Sequence, residues 1–380
     1  MSRPGVPSVA TACPAHGQRI HKHELETPAL IVDLDIMERN IAAMAEAARY
    51  NGINLRPHIK THKTPAIAHK QMAAGAVGVC CATLGEAEVM VAAGLPDILI
   101  TRAIVGQSKV ARLCALSRQC RLSVVTDSIE NADDLALAAE SAGVTLDVLM
   151  EVNVGQNRCG VEPGSAEALA VARRITGRRS LRFAGIQGYE GHLVLIPDEA
   201  ERTGLTKAAN AAALGTKAML ERDGIPVPVL TGGGTGTYLV TGSAEKSGYT
   251  EIQPGSYPTM DARYSAQMGD GPFGPALGLL ATCVSRGPGR AILDTGTKAV
   301  SVDYGAPPVK GRPGLAYQPG RGGDEHGWVL CQEDELRVGE RVELYPSHGC
   351  TTFNLHNWLY GIRGEYVEVV WNIAARGCFW

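Results

Sequence analysis

Between Thr27 and Tyr257 the chain alternates short β-rich runs with longer helical segments, and this alternation restricts the fold more than any other feature. About eight strand-then-helix units in roughly 230 residues predict a parallel (β/α)₈ barrel. A doubly wound open sheet is the alternative, since the order of the elements does not show whether a sheet closes. The predicted strands are Ala29–Asp33, Asn54–Arg56, Val77–Cys81, Asp97–Thr101, Leu122–Asp127, Asp147–Asn153, Phe183–Tyr189 and Val227–Thr231.

The chain changes texture after Asp261, where Gly and Pro become dense and short strand-like runs replace the helical segments. A length of 380 residues also exceeds what one hydrophobic core usually holds. We therefore predict two domains, an α/β barrel over residues 27–262 and a smaller, mainly β domain over 263–380. The N-terminal segment 1–26 is expected to be a loosely packed leader or to join the β domain.

Charge and cysteine usage indicate an intracellular enzyme that binds neither nucleic acid nor a membrane. Lys and Arg number 36 against 39 acidic residues, so there is no basic surplus to attract nucleic acid or an anionic membrane. No apolar run approaches the ~20 residues that cross a bilayer, and the N-terminal segment has no apolar core of a secretion signal. The ten cysteines show no repeating spacing, which favours a reduced, cytoplasmic protein.

The run Arg56–Lys63 follows a short strand and contains two lysines, Lys60 and Lys63, among other cationic groups. Neighbouring positive charge lowers the pKa of a lysine amine and makes it a better Schiff-base nucleophile. A basic surface loop is the competing interpretation of this run. Predicted phosphate-binding loops further along the chain favour the Schiff-base lysine over the surface loop.

Two small-residue turns on successive predicted strands indicate a phosphate site. The first is Thr231–Gly236, where glycines let backbone amides approach an anion and Thr235 adds a hydroxyl donor. The second is Gln253–Tyr257. Neither is a Walker A loop or a dinucleotide fingerprint. Paired loops on late barrel strands are typical of the binding of a single phosphate group.

A Schiff-base lysine together with a monophosphate site implies the cofactor pyridoxal 5′-phosphate (PLP), an electron sink for bonds broken at Cα. Arg158 is then a candidate to neutralise the phenolate oxygen of the cofactor, although an exposed loop arginine is the alternative. Tyr189 is a candidate to stack on the cofactor ring. A core aromatic residue explains Tyr189 equally well.

A second candidate site is the sequence Ser347–Cys350, in which His348 and Cys350 are separated by one residue. On extended backbone these side chains point to the same side. Imidazole nitrogen and thiolate sulfur bind borderline divalent metals, and two protein ligands leave positions open for catalysis. A buried cysteine beside a hydrogen-bonded histidine is the structural alternative.

Taken together, these residues resemble the fold-type III PLP enzymes of the D-threonine aldolase and D-serine dehydratase family. The likeness extends over nearly the whole chain after residue 26. It implies an alanine-racemase-like (β/α)₈ TIM barrel followed by a β domain, a homodimer, and a small-molecule D-3-hydroxy amino acid as substrate. Further matching segments are Thr27–Leu30, Glu151–Gly155, Arg158–Val161, Met260–Asp261, Asp324–Gly327 and Ala374–Gly377.

The resemblance also implies roles for individual residues. Lys60 is the Schiff-base lysine, His348 and Cys350 bind Mn²⁺, Zn²⁺ or Mg²⁺, and Glu190 or His192 is the base. Aldolases of this group carry His-x-Asp at the metal, whereas His-x-Cys is the pattern of the dehydratase branch. The expected cofactor-binding residues are Lys60, Arg158, Tyr189, Gly234, Thr235, Gly255, Ser256, Tyr257 and Tyr264.

The expected activity is retro-aldol cleavage of a D-3-hydroxy amino acid to glycine and an aldehyde, of the D-threonine type. The alternative is dehydration of D-serine or D-threo-3-hydroxyaspartate to a 2-oxo acid and ammonia. A non-catalytic PLP carrier protein is a third hypothesis. Such carriers lack a β domain and a metal-binding pair, so the C-terminal region and Cys350 argue against it.

Overall fold

The structure, a computed structural model, describes residues 19–269, 271–332 and 335–380. The predicted N-terminal leader lies mostly outside these residues. The strands are β1 Ala29–Asp33, β2 Asn54–Leu55, β3 Val79–Cys81, β4 Asp97–Ile100, β5 Arg121–Thr126, β6 Leu146–Glu151, β7 Leu181–Gln187, β8 Val229–Gly232, β9 Glu251–Ile252, β10 Leu277–Gly287, β11 Arg290–Leu293, β12 Ala316–Tyr317, β13 Gly327–Leu330, β14 Arg341–Leu344, β15 Trp358–Arg363 and β16 Tyr366–Asn372. The helices are α1 Leu34–Tyr50, α2 Pro65–Ala73, α3 Leu84–Ala92, α4 Gln107–Leu116, α5 Ile129–Ala142, α6 Ala166–Thr176, α7 Glu199–Arg222, α8 Tyr238–Thr241, α9 Ala244–Ser247, α10 Ala262–Met268 and α11 Gly349–Leu355, with a 3₁₀ turn at Lys22–Glu24.

The chain divides into two compact units. The barrel unit comprises Ile41–Tyr257 with Gly377–Trp380, and the β unit comprises the residues up to Asn40 with Pro258–Arg376. The first predicted barrel strand, Ala29–Asp33, instead belongs to the β unit, because β1 pairs with β10 and β15.

The barrel unit contains a parallel sheet in the order β2-β9-β8-β7-β6-β5-β4-β3. Its first and last strands are joined by backbone hydrogen bonds from Val77 N–H to the Leu55 oxygen (2.9 Å) and from Cys80 N–H to the Pro57 oxygen (2.8 Å). A parallel bridge between His58 and Cys80 continues this pairing. The sheet is therefore closed, as a (β/α)₈ barrel requires.

Three of the barrel helices begin where the sequence contains a capping side chain. Thr83, Ser128 and Ser165 each accept a hydrogen bond from a backbone amide in the first turn of α3, α5 and α6. These bonds satisfy amides that have no partner inside the helix. Thr64, before the Pro65 that begins α2, makes no such bond.

A buried charged group lies inside the barrel between β2, β4 and β9. Arg56 donates to Glu251 (2.9 Å) and to Asp97 (2.6 Å), and Thr231 donates to the other Glu251 oxygen (2.9 Å). Burial alone would lower the pKa of Arg56, but the two carboxylates raise it. The network connects the strand that closes the barrel to its neighbours, and removal of one member of such a buried pair is strongly destabilising.

The β unit is built on a sheet in the order β12-β13-β11-β10-β1-β15-β16, with β14 also paired to β10. Its strands are antiparallel except where β1 runs parallel to β15. Leu25, Ile31, Leu280 and Ile362 belong to one buried cluster of this unit. Lys22 is connected to this unit as well, since its backbone amide donates to the Glu365 carbonyl oxygen (2.8 Å). Across residues 19–269, 271–332 and 335–380, no helix has the length and apolar character to cross a membrane.

Candidate active site

A cavity of about 360 Å³ lies in the barrel unit at the carboxyl ends of its strands. Its lining residues come from the ends of β6 and β7 and from the segments that follow β2, β3, β4 and β9. This is the end of the barrel at which enzymes of this fold bind substrate. The residues that line the cavity are His58, Lys60, Ala82, Thr101, Arg102, Glu151, Arg158, Cys159, Gln187, Tyr189 and Gln253.

Lys60 is the lysine whose side chain lines this cavity. Its Nζ lies 5.4 Å from the centre of the Tyr189 ring. Lys63, the competing nucleophile, is buried and forms an ion pair with Glu86, which is itself 1% exposed. Phe379 lies over the Lys63 amine at 5.7 Å. The structure therefore places Lys60, and not Lys63, where a cofactor can reach its amine.

His58 is buried beside Lys60 in a neutral form. Its Nδ1 accepts the Lys60 backbone N–H (3.3 Å), and its Nε2 lies 3.0 Å from the Thr101 hydroxyl. Burial lowers the pKa of His58 well below its usual value, and the charges of Lys60, Lys63 and Arg158 lower it further. A neutral imidazole of this kind stabilises the Lys60 segment without adding positive charge to the cavity.

Arg158 and Tyr189, the two residues expected beside the cofactor ring, both line the cavity. The guanidinium group of Arg158 lies 5.9 Å from the Tyr189 ring centre and 3.9 Å from a Glu151 oxygen. Burial raises the pKa of Glu151, although Arg158 opposes this shift. Arg102 contributes another cation to the cavity lining. Three cationic residues against one carboxyl group suit an anionic ligand.

The predicted phosphate loops converge on one hydroxyl group. Thr235 Oγ1 accepts the backbone amides of Ser256 (3.1 Å) and Tyr257 (3.2 Å). Gly233 has a φ of 76°, which favours glycine, and a Cβ on Gly234 would lie 2.6 Å from Val194. Both amides donate to the Thr235 hydroxyl in this structure. Backbone amides and a hydroxyl on adjacent glycine-rich turns are the kinds of donor that bind a phosphate group, so these residues fit PLP.

Gly234 and Gly255 lie where a larger side chain would crowd neighbouring residues. A Cβ on Gly234 would also lie 3.5 Å from the Tyr189 hydroxyl, and a Cβ on Gly255 would lie 3.1 Å from the His58 carbonyl oxygen. Both glycines therefore allow the loops to approach residues of the cavity. The Tyr257 side chain is fully buried and its hydroxyl accepts from Gln71 (3.0 Å). The Tyr257 side chain is thus bonded within the protein and is not among the residues that line the cavity.

Glu190, one of the two predicted bases, is fully buried. One carboxyl oxygen accepts the Gly233 amide (3.0 Å), and the other accepts the hydroxyls of Thr237 (2.7 Å) and Thr241 (2.9 Å). The side chain is directed into the support of the glycine loop and does not line the cavity. This geometry argues for a structural role in place of the predicted catalytic one.

His192, the other predicted base, is exposed and, like Glu190, is not among the residues that line the cavity. It lies against Gly155, at the start of the loop that carries Arg158, and a Cβ on Gly155 would lie 3.3 Å from His192 Nε2. Partial burial lowers the pKa of His192, although Glu190 opposes this shift. A lowered pKa favours the neutral imidazole, the form in which histidine accepts a proton.

The predicted metal ligands lie in the β unit. His348 is the residue before α11, and Cys350 lies in the first turn of this helix. The expectation that both residues share extended backbone is wrong, because Asp261 accepts the Gly349 amide (2.9 Å) at the start of the helix. The two side chains still meet through a hydrogen bond. Tyr264, in α10, belongs to this unit as well, whereas the other predicted cofactor residues belong to the barrel unit.

The His348 imidazole is also held by Asp303. Burial alone would lower the pKa of His348, but Cys350 and Asp303 raise it to about 9. Within the described residues, no group of three or more His, Cys, Asp or Glu side chains is arranged to hold a metal ion. An imidazole and a thiol suit a borderline divalent ion that completes its coordination with water, so the donor set fits an open site.

Two family models match the chain. The N-terminal domain of alanine racemase matches residues 32–262, and a putative serine dehydratase domain matches residues 276–362. Since the first match covers more than half of the sequence, the chain belongs to the family of alanine racemase N-terminal domains. The predicted alanine-racemase-like barrel followed by a β domain is confirmed.

Known proteins with similar sequences are lyases. A D-threonine aldolase of Arthrobacter sp is 40% identical over 358 residues, and a 3-hydroxy-D-aspartate aldolase of Paracoccus denitrificans is 36% identical over 364 residues. Each match covers 93% of both chains. The structure of D-threonine aldolase from Filomicrobium marinum has a TM-score of 0.92 and 40% identity, covering 96% of this chain and 99% of that one.

A dehydratase is also similar, at lower identity. The structure of a D-threo-3-hydroxyaspartate dehydratase carrying a cysteine-to-alanine mutation, in its metal-free form, has a TM-score of 0.84 and 27% identity. It covers 93% of this chain and 99% of that one. Both reactions considered from the sequence are therefore represented among similar proteins.

Sequence reasoning missed several residues that line the cavity. His58 is not among the predicted site residues, although its position two residues before Lys60 is a signal for a shared site. Arg102 directly follows the predicted strand 97–101, and Gln187 lies within the predicted strand 183–189. Placement near strand ends is the signal that identifies both. Gln253, by contrast, belongs to the predicted phosphate turn Gln253–Tyr257.

Proposed function

We propose that this chain is a PLP-dependent lyase that cleaves the Cα–Cβ bond of D-3-hydroxy amino acids, releasing glycine and an aldehyde. The main support is the convergence of Lys60, Arg158 and Tyr189 on one cavity beside a phosphate-binding loop. Similar proteins named D-threonine aldolase and 3-hydroxy-D-aspartate aldolase support the same reaction class.

The residues of the barrel unit divide the binding of the cofactor among them. Lys60 Nζ would attach PLP, and Arg158 would neutralise its phenolate oxygen. Thr235 and the amides of Ser256 and Tyr257 would bind the phosphate. When bound, PLP supplies an electron sink for the electron pair left at Cα. The Tyr189 ring would lie against the cofactor and fix its orientation.

His348 and Cys350 would hold a divalent ion, which supplies Lewis acidity and lowers the pKa of the substrate hydroxyl. We assign the removal of the hydroxyl proton to an imidazole nitrogen of His192, because Glu190 is already occupied by three donors. The lowered pKa of His192 favours the unprotonated imidazole, the form that can accept that proton.

The test is incubation of the PLP- and metal-loaded protein with D-threonine. We expect equal amounts of glycine and acetaldehyde. Formation of 2-oxobutanoate and ammonia in excess of glycine would overturn the aldolase assignment. 3-Hydroxy-D-aspartate should be compared in parallel, since one aldolase relative is named for it.

A second candidate function is dehydration of D-serine or D-threo-3-hydroxyaspartate. The observation that favours it is the pairing of His348 with a cysteine, which matches the dehydratase branch of the resemblance. In this reaction Lys60 would take the α-proton and the ion would assist departure of the hydroxyl group. D-Serine as substrate distinguishes the reactions, because only dehydration produces pyruvate and ammonia.

We further propose that the enzyme is a cytoplasmic homodimer. The support is the family resemblance and the reduced cysteines, since the nine cysteines described by the structure form no disulfide. Light scattering of the purified protein tests the oligomeric state. A monomer at micromolar concentration would contradict it.

A further inference from the structure

The environment of His348 contains more than its predicted metal partner. His348 Nδ1 lies 2.6 Å from Asp303 Oδ2. The Tyr304 ring is stacked on the imidazole, with ring centres 4.0 Å apart and an interplanar angle of 10°. Arg263 lies over Tyr304, 4.3 Å from its ring centre. One edge of the imidazole is thus held by a carboxylate and one face by an aromatic ring.

Residues other than His348 also hold the Asp303 carboxylate in place. The Ser301 hydroxyl donates to Asp303 Oδ1, and Thr351 Oγ1 lies 3.4 Å from the same oxygen. The Ser301 amide donates to Thr352 (3.2 Å), and Ser347 donates to the Ser301 carbonyl oxygen (3.0 Å). These bonds connect the segment that carries Asp303 to the residues around His348. The carboxylate therefore has a defined position relative to the imidazole.

A hydrogen bond from Nδ1 to a carboxylate fixes which nitrogen remains for a metal. In the neutral form that can bind a metal, His348 carries its proton on Nδ1, directed at Asp303, and has a lone pair only on Nε2. The carboxylate also increases the basicity of that nitrogen. Nε2 is then the imidazole atom that can share an ion with the Cys350 sulfur.

We propose that Asp303 is a positioning residue of the metal site, which orients His348 so that Nε2 binds a divalent ion together with Cys350. The inference deepens the proposed function and rests on its metal site. Asp303 itself does not contact the ion. Its role is to keep the imidazole in the correct tautomer and orientation, which matters most in a site with only two protein ligands.

The experiment measures ion affinity of the PLP-loaded protein after EDTA treatment and buffer exchange, by competition for Mn²⁺ and Zn²⁺ with a chromophoric chelator. We expect Asp303→Asn to weaken binding by about 10- to 100-fold, the usual effect of losing an outer carboxylate partner. Asp303→Glu retains the charge and should recover part of the affinity. Asp324→Asn is the matched control, since Asp324 is an exposed acid of the β unit near Thr297 (3.3 Å).

A second measurement separates positioning from general damage to the fold. Co²⁺ bound to the wild type should give a visible spectrum that Asp303→Asn changes, while far-UV circular dichroism and PLP content stay the same. Unchanged affinity and spectrum in Asp303→Asn, with binding lost in His348→Ala, would overturn the role of Asp303 and leave the metal site intact. A wild type that binds no ion would instead overturn the metal site of the proposed function, and the inference with it.

Discussion

Substitution of Glu190 decides between a supporting and a catalytic role for this carboxyl group. Its oxygens accept the Gly233 amide and the hydroxyls of Thr237 and Thr241, all within the buried wall behind the glycine loop. A supporting role predicts effects on stability and cofactor binding. A role as the base predicts an effect on the chemical step.

The structure allows a rough magnitude for Glu190→Ala. Thr237 has a second acceptor in the Gly234 oxygen and Thr241 has one in Asn210, both at 3.4 Å. For the Gly233 amide, no second acceptor is recorded among the described residues, and a buried donor without a partner costs about 1–3 kcal/mol. With the cavity left by the side chain, we expect a loss of roughly 3 kcal/mol in the free energy of unfolding. PLP should bind more weakly, because Gly233 belongs to the loop that would hold its phosphate.

Glu190→Gln is the discriminating variant. Threonine hydroxyls accept as well as donate, so a glutamine amide can satisfy all three neighbours at a cost of about 1 kcal/mol. We expect kcat for D-threonine to stay within about threefold of the wild type, as measured by coupled detection of acetaldehyde. General bases contribute about 10²- to 10⁴-fold, so His192→Gln should lose that amount with little change in stability. A hundredfold loss of kcat in Glu190→Gln, with normal stability and PLP affinity, would refute the supporting role.

Three further predictions concern the other ionisable groups. Lys60→Ala should abolish borohydride trapping of the cofactor, whereas Lys63→Met should retain it at reduced stability; trapping that persists without Lys60 would reassign the nucleophile. EDTA should remove activity and leave PLP bound, and Cys350→Asp should shift the relative affinity from Zn²⁺ toward Mn²⁺; full activity without any metal by elemental analysis would contradict the site. Burial lowers the pKa of His62 to about 4, so only the unfolded chain takes up this proton between about pH 6.5 and 4, and stability should fall there by roughly 3 kcal/mol. The free energy of unfolding, measured by urea titration at several pH values in this range, should depend less on pH in His62→Gln than in the exposed control His326→Gln.

The sequence predicted seven of the eight barrel strands, because their signals are local. The two-residue strand β9 is not among the predicted strands, and Ala29–Asp33 pairs within the β unit instead. The predicted strand bounds agree with the observed ones within about two residues, a scatter usual for such assignments. Lys60, Arg158 and Tyr189 follow or end strands, and the parallel sheet then brings them to one edge. The side chains of Thr83, Ser128 and Ser165 predict the start of α3, α5 and α6, because each accepts a backbone amide within the first helical turn.

The sequence was less informative where long-range contacts decide. Tyr189 and Glu190 are adjacent, and alternation along extended backbone directs them to opposite sides, so only one could line the cavity. The alternation follows from the sequence alone, whereas the three hydrogen-bond donors to Glu190 are seen only in the structure. The extended backbone expected for His348 and Cys350 is absent, since the bond from the Gly349 amide to Asp261 begins a helix there. Asp303 is separated from His348 by 45 residues and no spacing rule connects them.

The position of β1 has a consequence for synthesis of the chain on the ribosome. Ala29 pairs with Leu280, and Ile31 pairs with Tyr360, so this strand emerges long before either partner exists. At about 5–20 residues per second, it stays unpaired for on the order of 10 to 50 s while every barrel strand is completed. During that interval an apolar strand with open edges is exposed to aggregation and to chaperone capture. We therefore expect a lower growth temperature or additional chaperones to raise the yield of folded protein. The gain should be larger than the stability of the folded protein alone would predict.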